Sequence, residues 1–323
     1  MYMDLQEHIE YLPETAKSIS FTNNSHIPNL LRFENLQILI CVNFNLKSLP
    51  ELPPTLKKLK CSHNLLTELP RLPETLEKLN CSFNKITSLP ILPSGLKKLN
   101  CDNNKITTLP ELPLKLLKLC CDNNSLHVLP ELPETMKCLA CCENKLTNIH
   151  SLPVDLEDFY CVQNKLSYLP KLPPKLEEMF CSDNELVTLP DLPESLRDLY
   201  CYNNKLVTLP DLPESLQDLF CFNNNLTFLH VLHERIRELH CGDFEIYNIK
   251  CNDTTIVKNN KIKIINKFRY SYYCLRLKRH FRHWLWCKIR EPKIKAHYSH
   301  INLIQLLDGI EDEEEFHKAL DNW

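Results

Sequence analysis

Cysteine recurs in this chain at 41, 61, 81, 101, 121, 141, 161, 181, 201, 221 and 241. Asparagine follows three residues later, at 64, 84, 104, 124, 144, 164, 184, 204 and 224. No insertion or deletion breaks the 20-residue period across this stretch. A unit this short cannot bury its apolar positions alone; it must stack on copies of itself, so the period predicts a solenoid. That overrides the two domains that a length of 323 residues would otherwise suggest.

The unit reads L-x-x-L-x-C-x-x-N-x-L-x-x-L-P-x-L-P, as in Leu56, Leu59, Cys61, Asn64, Leu66, Leu69-Pro70 and Leu72-Pro73. It resembles the leucine-rich repeat, with Cys at the third apolar position. The doubled Leu-Pro and the 20-residue length are similar to the short repeat class of bacterial secreted effectors and to leucine-rich repeat proteins of giant DNA viruses of amoebae. The resemblance implies a right-handed arc with a parallel β-sheet on its concave face and an extended, polyproline-like convex side. It also implies a surface that binds another macromolecule. The expected organisation is a degenerate N-terminal cap over 1–40, the solenoid over 41–250, and a C-terminal basic, aromatic helical segment with an acidic end over 251–323.

The cap keeps the phase through Leu12-Pro13, Ala16, Ile19, Phe21 and Asn24, slips over Ile27 to Arg32, and recovers at Leu36. Within each repeat a short strand is expected at Leu59-Lys60-Cys61 and its equivalents. The Asn column is read as a structural ladder bonding backbone groups of the turn and of the next repeat. With 3 Gly against 22 Pro, turns fall to Pro and Asn. His150, His230 and His233 stand in place of Pro and read as exposed loop residues.

Seventeen Cys in a small secreted protein would signal disulfides. Here most occupy one inward column, where a thiol acts as a small hydrophobe and each sulfur has two equivalent neighbours. Asp4, Glu7 and Glu10 interrupt any signal peptide. A reducing, intracellular setting follows, with the host cytoplasm as its expected site. The net charge of -3 gives the whole chain no preference for nucleic acid or membrane.

Three outward columns carry the functional signal. One reads Lys58, Lys78, Lys98, Lys118, Cys138, Asp158, Glu178, Asp198, Asp218, Glu238, changing sign once. The next reads Lys60, Asn80, Asn100, Cys120, Ala140, Tyr160, Phe180, Tyr200, Phe220, His240, and the third ends in Tyr202 and Phe222. Like charges on adjacent strands repel, a cost that a partner or the neighbouring Glu77, Arg197 and Arg237 could offset. The expected partner is a protein whose basic segment meets residues 158 to 240 through ion pairs and cation–π contacts, with any acidic part toward the lysines. Cys120, Cys138 and Cys142 point outward too far apart for zinc and read as accessible thiols.

From Lys258 to Lys295 the tail carries thirteen Lys or Arg against Glu291 alone. Asn266 to Arg290 reads as a helix, with Tyr270, Cys274, Leu277, Phe281, Trp284 and Leu285 on one face. Three functions compete. A non-catalytic, monomeric scaffold without cofactor or metal is favoured by the repeat. Nucleic-acid or anionic-surface binding through 258–297 is the alternative. A ubiquitin-ligase-like effector lacks room and lacks a Cys/His/Asp constellation near Cys274 or Cys287.

Overall fold

The computed structural model describes residues 14–21, 27, 29–226, 232–241, 256–257, 259–260 and 262–264. The expected tail helix, Asn24 and His230 lie outside them.

Twelve three-residue strands run β1 Ser18–Ser20, β2 Ile38–Ile40, β3 Lys58–Lys60, β4 Lys78–Asn80, β5 Lys98–Asn100, β6 Lys118–Cys120, β7 Cys138–Ala140, β8 Asp158–Tyr160, β9 Glu178–Phe180, β10 Asp198–Tyr200, β11 Asp218–Phe220 and β12 Glu238–His240. They form one parallel sheet in sequence order. Each residue pairs with the one 20 positions on, as in Lys58↔Lys78 and Leu59↔Leu79. The strand starts one residue earlier than expected, so that only its central Leu points into the core. Cys61 lies just beyond the strand and continues the ladder by donating its N–H to Asn80 O at 2.8 Å.

Leu56, Leu59, Cys61, Leu66, Leu69 and Leu72 are all buried, and their equivalents repeat the pattern. Each repeat thus shares an apolar interior with the next, the condition for a solenoid to hold together. The inward thiols are more than space-fillers. Cys41, Cys61, Cys81, Cys101, Cys121 and Cys141 each donate S–H to a carbonyl of the following repeat's strand, at 3.3–3.6 Å. Every described cysteine is free, and burial pushes Cys81 and Cys181 up to about 12.

The Asn ladder forms, but it reaches back to the preceding repeat rather than forward. Asn184 Nδ2 donates to Cys181 O, Ser182 O and Cys161 O, while its Oδ1 accepts the Leu166 N–H. The residue before each Asn adopts a left-handed conformation, including bulky Phe83 (φ 54), Glu143 (φ 51) and Gln163 (φ 56). The chain makes this turn almost without Gly because the Asn side chain behind it holds the backbone in place. A hydroxyl ladder, unforeseen from the sequence, adds a further tie: Thr75 Oγ1 donates to Leu56 O, and Ser195 Oγ to Leu176 O.

At the N-terminal edge the expected slip is seen at Leu30 to Arg32, where Leu30 is buried in place of Pro50, Arg32 is exposed in place of Leu52, and an extra turn closes through Phe33 N–H to Leu30 O. Phe33 accepts from the Leu36 N–H as Pro53 accepts from Leu56, so Phe33 stands at a proline position and restores the phase. Leu30 and Phe33 are fully buried and seal this end. At the other end, residues 256–257, 259–260 and 262–264 are helical. Asn259 accepts from the Leu232 N–H and donates to Leu232 O, satisfying backbone groups of the last described repeat, and Ile262 is buried. The chain divides into Met1–Lys263 and Ile264–Trp323.

Candidate interaction face

The strand residues flanking each buried Leu project from the sheet on its outer side, and adjacent strands lie about 4.8 Å apart. That spacing sets the geometry of every column. Tyr160, Phe180, Tyr200, Phe220 and His240 form a continuous ladder with centroid separations of 5.0, 4.2, 4.4 and 4.4 Å. Phe180 and Tyr200 are nearly parallel, with 9° between their planes, whereas Tyr160 is tilted 63° from Phe180. Tyr202 and Phe222 stack beside them at 4.6 Å and 4°. The interior rings therefore spend their faces on one another and turn edges outward. Cation–π capture needs an open face, so the stacked Phe180 and Tyr200 offer a cation less than isolated rings would.

Beside the ladder, Asp158, Glu178, Asp198 and Asp218 are half-buried and Glu238 is exposed. Partial burial and then the neighbouring Asp218 and Glu178 carboxylates raise Asp198 to about 6, with a proton shared toward Asp218. Burial and then Glu178 raise Asp158. The Tyr160 hydroxyl donates to Glu178 Oε2, and burial followed by that bond raises the phenol. The adjoining column does little for this row. Glu77 pairs with Lys97 and Glu177 with Arg197, at 2.9 and 3.1 Å, and Lys137 pairs with Glu157 at 2.7 Å. Of the charges expected to offset the two rows, Glu77 and Arg197 are paired within their own column, and Arg197 lowers Asp198 only as a minor effect.

At the sign change the expected patch of accessible thiols is absent. Cys120, Cys138 and Ala140 are buried although they lie on the outer side of the sheet. Their side chains are too short to clear the longer ones around them. Cys138 accepts from Lys118 and donates to Asp158, and burial raises it. Cys142 is half-buried; burial and then Asp122 push it up to about 12. Asp102 and Asp122 serve the backbone, accepting the N–H groups of Asp122 and Cys142 at 2.8 and 2.6 Å. Among the described residues no group of His, Cys, Asp and Glu is arranged to hold a metal, and no helix is long and apolar enough to cross a membrane. His150 is exposed as expected, but His233 is half-buried with Nε2 3.0 Å from Leu212 O.

The lysines lie where the sequence places them, on β3 to β6. Lys58, Lys60, Lys78, Lys98 and Lys118 line a hollow of about 270 Å³. The structure thus brings the predicted residues onto one side of one sheet, in two adjoining halves.

The family of leucine-rich repeats (two copies) matches residues 74–114. No curated protein sequence matches. Among solved structures, YopM from Yersinia enterocolitica WA-314 is 33% identical over 71% of this chain, with a TM-score of 0.60; the match covers 56% of that protein. YopM of Yersinia pestis, described as a leucine-rich effector protein, is 30% identical over 72% of this chain and 80% of that one, with a TM-score of 0.57. InlJ from Listeria monocytogenes, whose functional domain is described as including a cysteine ladder, is 25% identical over 74% of this chain and 55% of that one, with a TM-score of 0.63. The parallel sheet, the Asn ladder and these likenesses place the chain in the leucine-rich repeat family, of the short-repeat effector type.

Proposed function

We propose that the chain is a non-catalytic scaffold that captures a protein partner through a basic segment laid along residues 158 to 240. Leucine-rich repeat proteins are in general protein-interaction scaffolds. The observation that supports this reading is the acid row. Four half-buried carboxylates stand on successive strands, two of them with raised affinity for protons, and the neighbouring Arg197 is paired with Glu177. Such a row costs folding free energy. A Lys- or Arg-rich segment would remove that cost on binding, by ion pairs that the ring ladder partly shields from water. Free, buried thiols agree with a reducing compartment such as a host cytoplasm.

The test uses opposite signs. Replacing Glu178→Gln, Asp198→Asn and Asp218→Asn together should raise the unfolding temperature while abolishing capture of a basic partner from lysate. Retained capture would move the site to the basic tail at 258–297, where salt-dependent retention on nucleic acid would identify the alternative.

A further inference from the structure

The lysine half of the face has a different chemistry from the acid half. Lys58, Lys60, Lys78, Lys98 and Lys118 surround one hollow, and none takes part in the ion pairs of the adjoining column. Asn80 and Asn100 also line it, with Leu59, Leu79, Leu99 and Cys120. Both amides have their oxygen tied down locally: Asn80 Oδ1 accepts the N–H and the hydroxyl of Ser82, and Asn100 Oδ1 accepts the Asp102 N–H. Asn80 is therefore held with its oxygen against its own turn, while Asn100 also donates its NH₂ group to the Asp102 carboxylate. The lining offers five ammonium groups and the Asn80 amide donor, beside those leucines and Cys120.

From this we infer that the hollow over β3 to β6 is a binding site for a compact polyphosphorylated anion. A ring of five ammonium groups matches a ligand whose periphery consists only of acceptors, as clustered phosphate groups do. An acidic peptide fits less well, because its own backbone N–H groups would meet no acceptor. A nucleic-acid strand also fits less well. Base recognition on single strands needs aromatic platforms, and here the ring column holds Lys60, Asn80, Asn100 and Cys120. Four strands about 4.8 Å apart span about 14 Å, the scale of one small molecule. The source could be a cyclitol polyphosphate or a linear polyphosphate, which share this chemistry.

Calorimetric titration of the full chain at physiological salt tests the site with inositol hexakisphosphate, tripolyphosphate and decaglutamate as probes. The expected result is saturable binding of one or both phosphate probes at one site, with decaglutamate at least about tenfold weaker. The two phosphate arms distinguish the sources. Lys78→Gln with Lys98→Gln should weaken binding by about tenfold or more, and Asn80→Asp, which keeps all five lysines, should also weaken it. Thermal unfolding in the absence of probe checks that these exposed or half-exposed substitutions leave the fold in place. Undiminished binding in the lysine variant would assign the anion to the basic tail and overturn the inference. Equal binding of decaglutamate, or no saturable binding of either phosphate probe, would overturn it too. Each outcome is independent of the acid-row variants, so failure here leaves the partner reading standing.

Discussion

Replacing Asn184→Ala probes how much one rung of the ladder contributes. Asn184 is buried and makes four bonds. Three of its partners keep a second donor after its removal. Cys161 O retains Asn164, Cys181 O retains Asn204, and Ser182 O retains the Gln163 N–H. The Leu166 N–H keeps nothing, and Leu166 is itself fully buried. One orphaned buried N–H costs about 1–3 kcal/mol, and the weakened carbonyl bonds add roughly 1 more. The expected loss is thus about 2–4 kcal/mol, a fall of about 3–6 °C in unfolding temperature for a chain of this size. Asn184→Asp keeps an acceptor for Leu166 but turns a carboxylate oxygen against three carbonyls, so it should destabilise more than Ala. Urea unfolding by circular dichroism, with amide exchange read at Leu166, measures both. A loss below about 0.5 kcal/mol for Ala, or an Asp variant as stable as the parent, would refute the donor-side reasoning.

Other outcomes follow from the same geometry. Asp198 and Asp122 both hold protons up to about pH 6 in the folded state, above the ordinary Asp value, so the folded chain binds more protons than the unfolded one between about pH 4 and 6. Their contribution therefore becomes more stabilising as pH falls through that window, and Asp198→Asn should flatten part of the profile measured by thermal scans. The same protonation discharges the acid row, so affinity for a basic partner should fall as pH drops through about 6. Glu143→Asn should stabilise by about 0.5–1 kcal/mol, since Asn tolerates the left-handed turn better than Glu; an unchanged urea midpoint would show that the turn stores no strain. Cys161→Ser should cost roughly 1–3 kcal/mol by placing a more polar hydroxyl at a fully buried position. Thiol alkylation mapped by mass spectrometry should find Cys161 unmodified in the native state.

Much of this fold is legible in the sequence because the period repeats every side chain's role many times. Leu59, Cys61, Asn64 and the outward columns then follow from strand alternation alone. What was not legible depends on side-chain length and on competition for partners. Cys138 points outward yet is hidden, because its neighbours Lys118 and Asp158 are longer and bond to it. Phe33 hides a turn in plain register, because a proline position was filled by a bulky residue that the N-terminal end needs for its seal. Alternation placed Phe180 and Tyr200 outward correctly. It could not show that strand spacing nearly equals ring-stacking distance, so that the rings cover one another. The hydroxyl ladder of Thr75 and Ser195 was a weak signal, interrupted by Gly95, Lys115, Asp155 and Lys175 in the same column.

Site-specific photocrosslinking tests the partner face most directly. A photoreactive phenylalanine analogue at Tyr200 samples the acid half, and the same analogue at Ile91 or Leu114, both strongly exposed away from the strands, serves as control. Crosslinks from position 200 to a Lys- or Arg-rich peptide, lost on neutralising Glu178, Asp198 and Asp218, are the predicted result. Crosslinks confined to position 91 or 114, or to a partner peptide without basic residues, would contradict it.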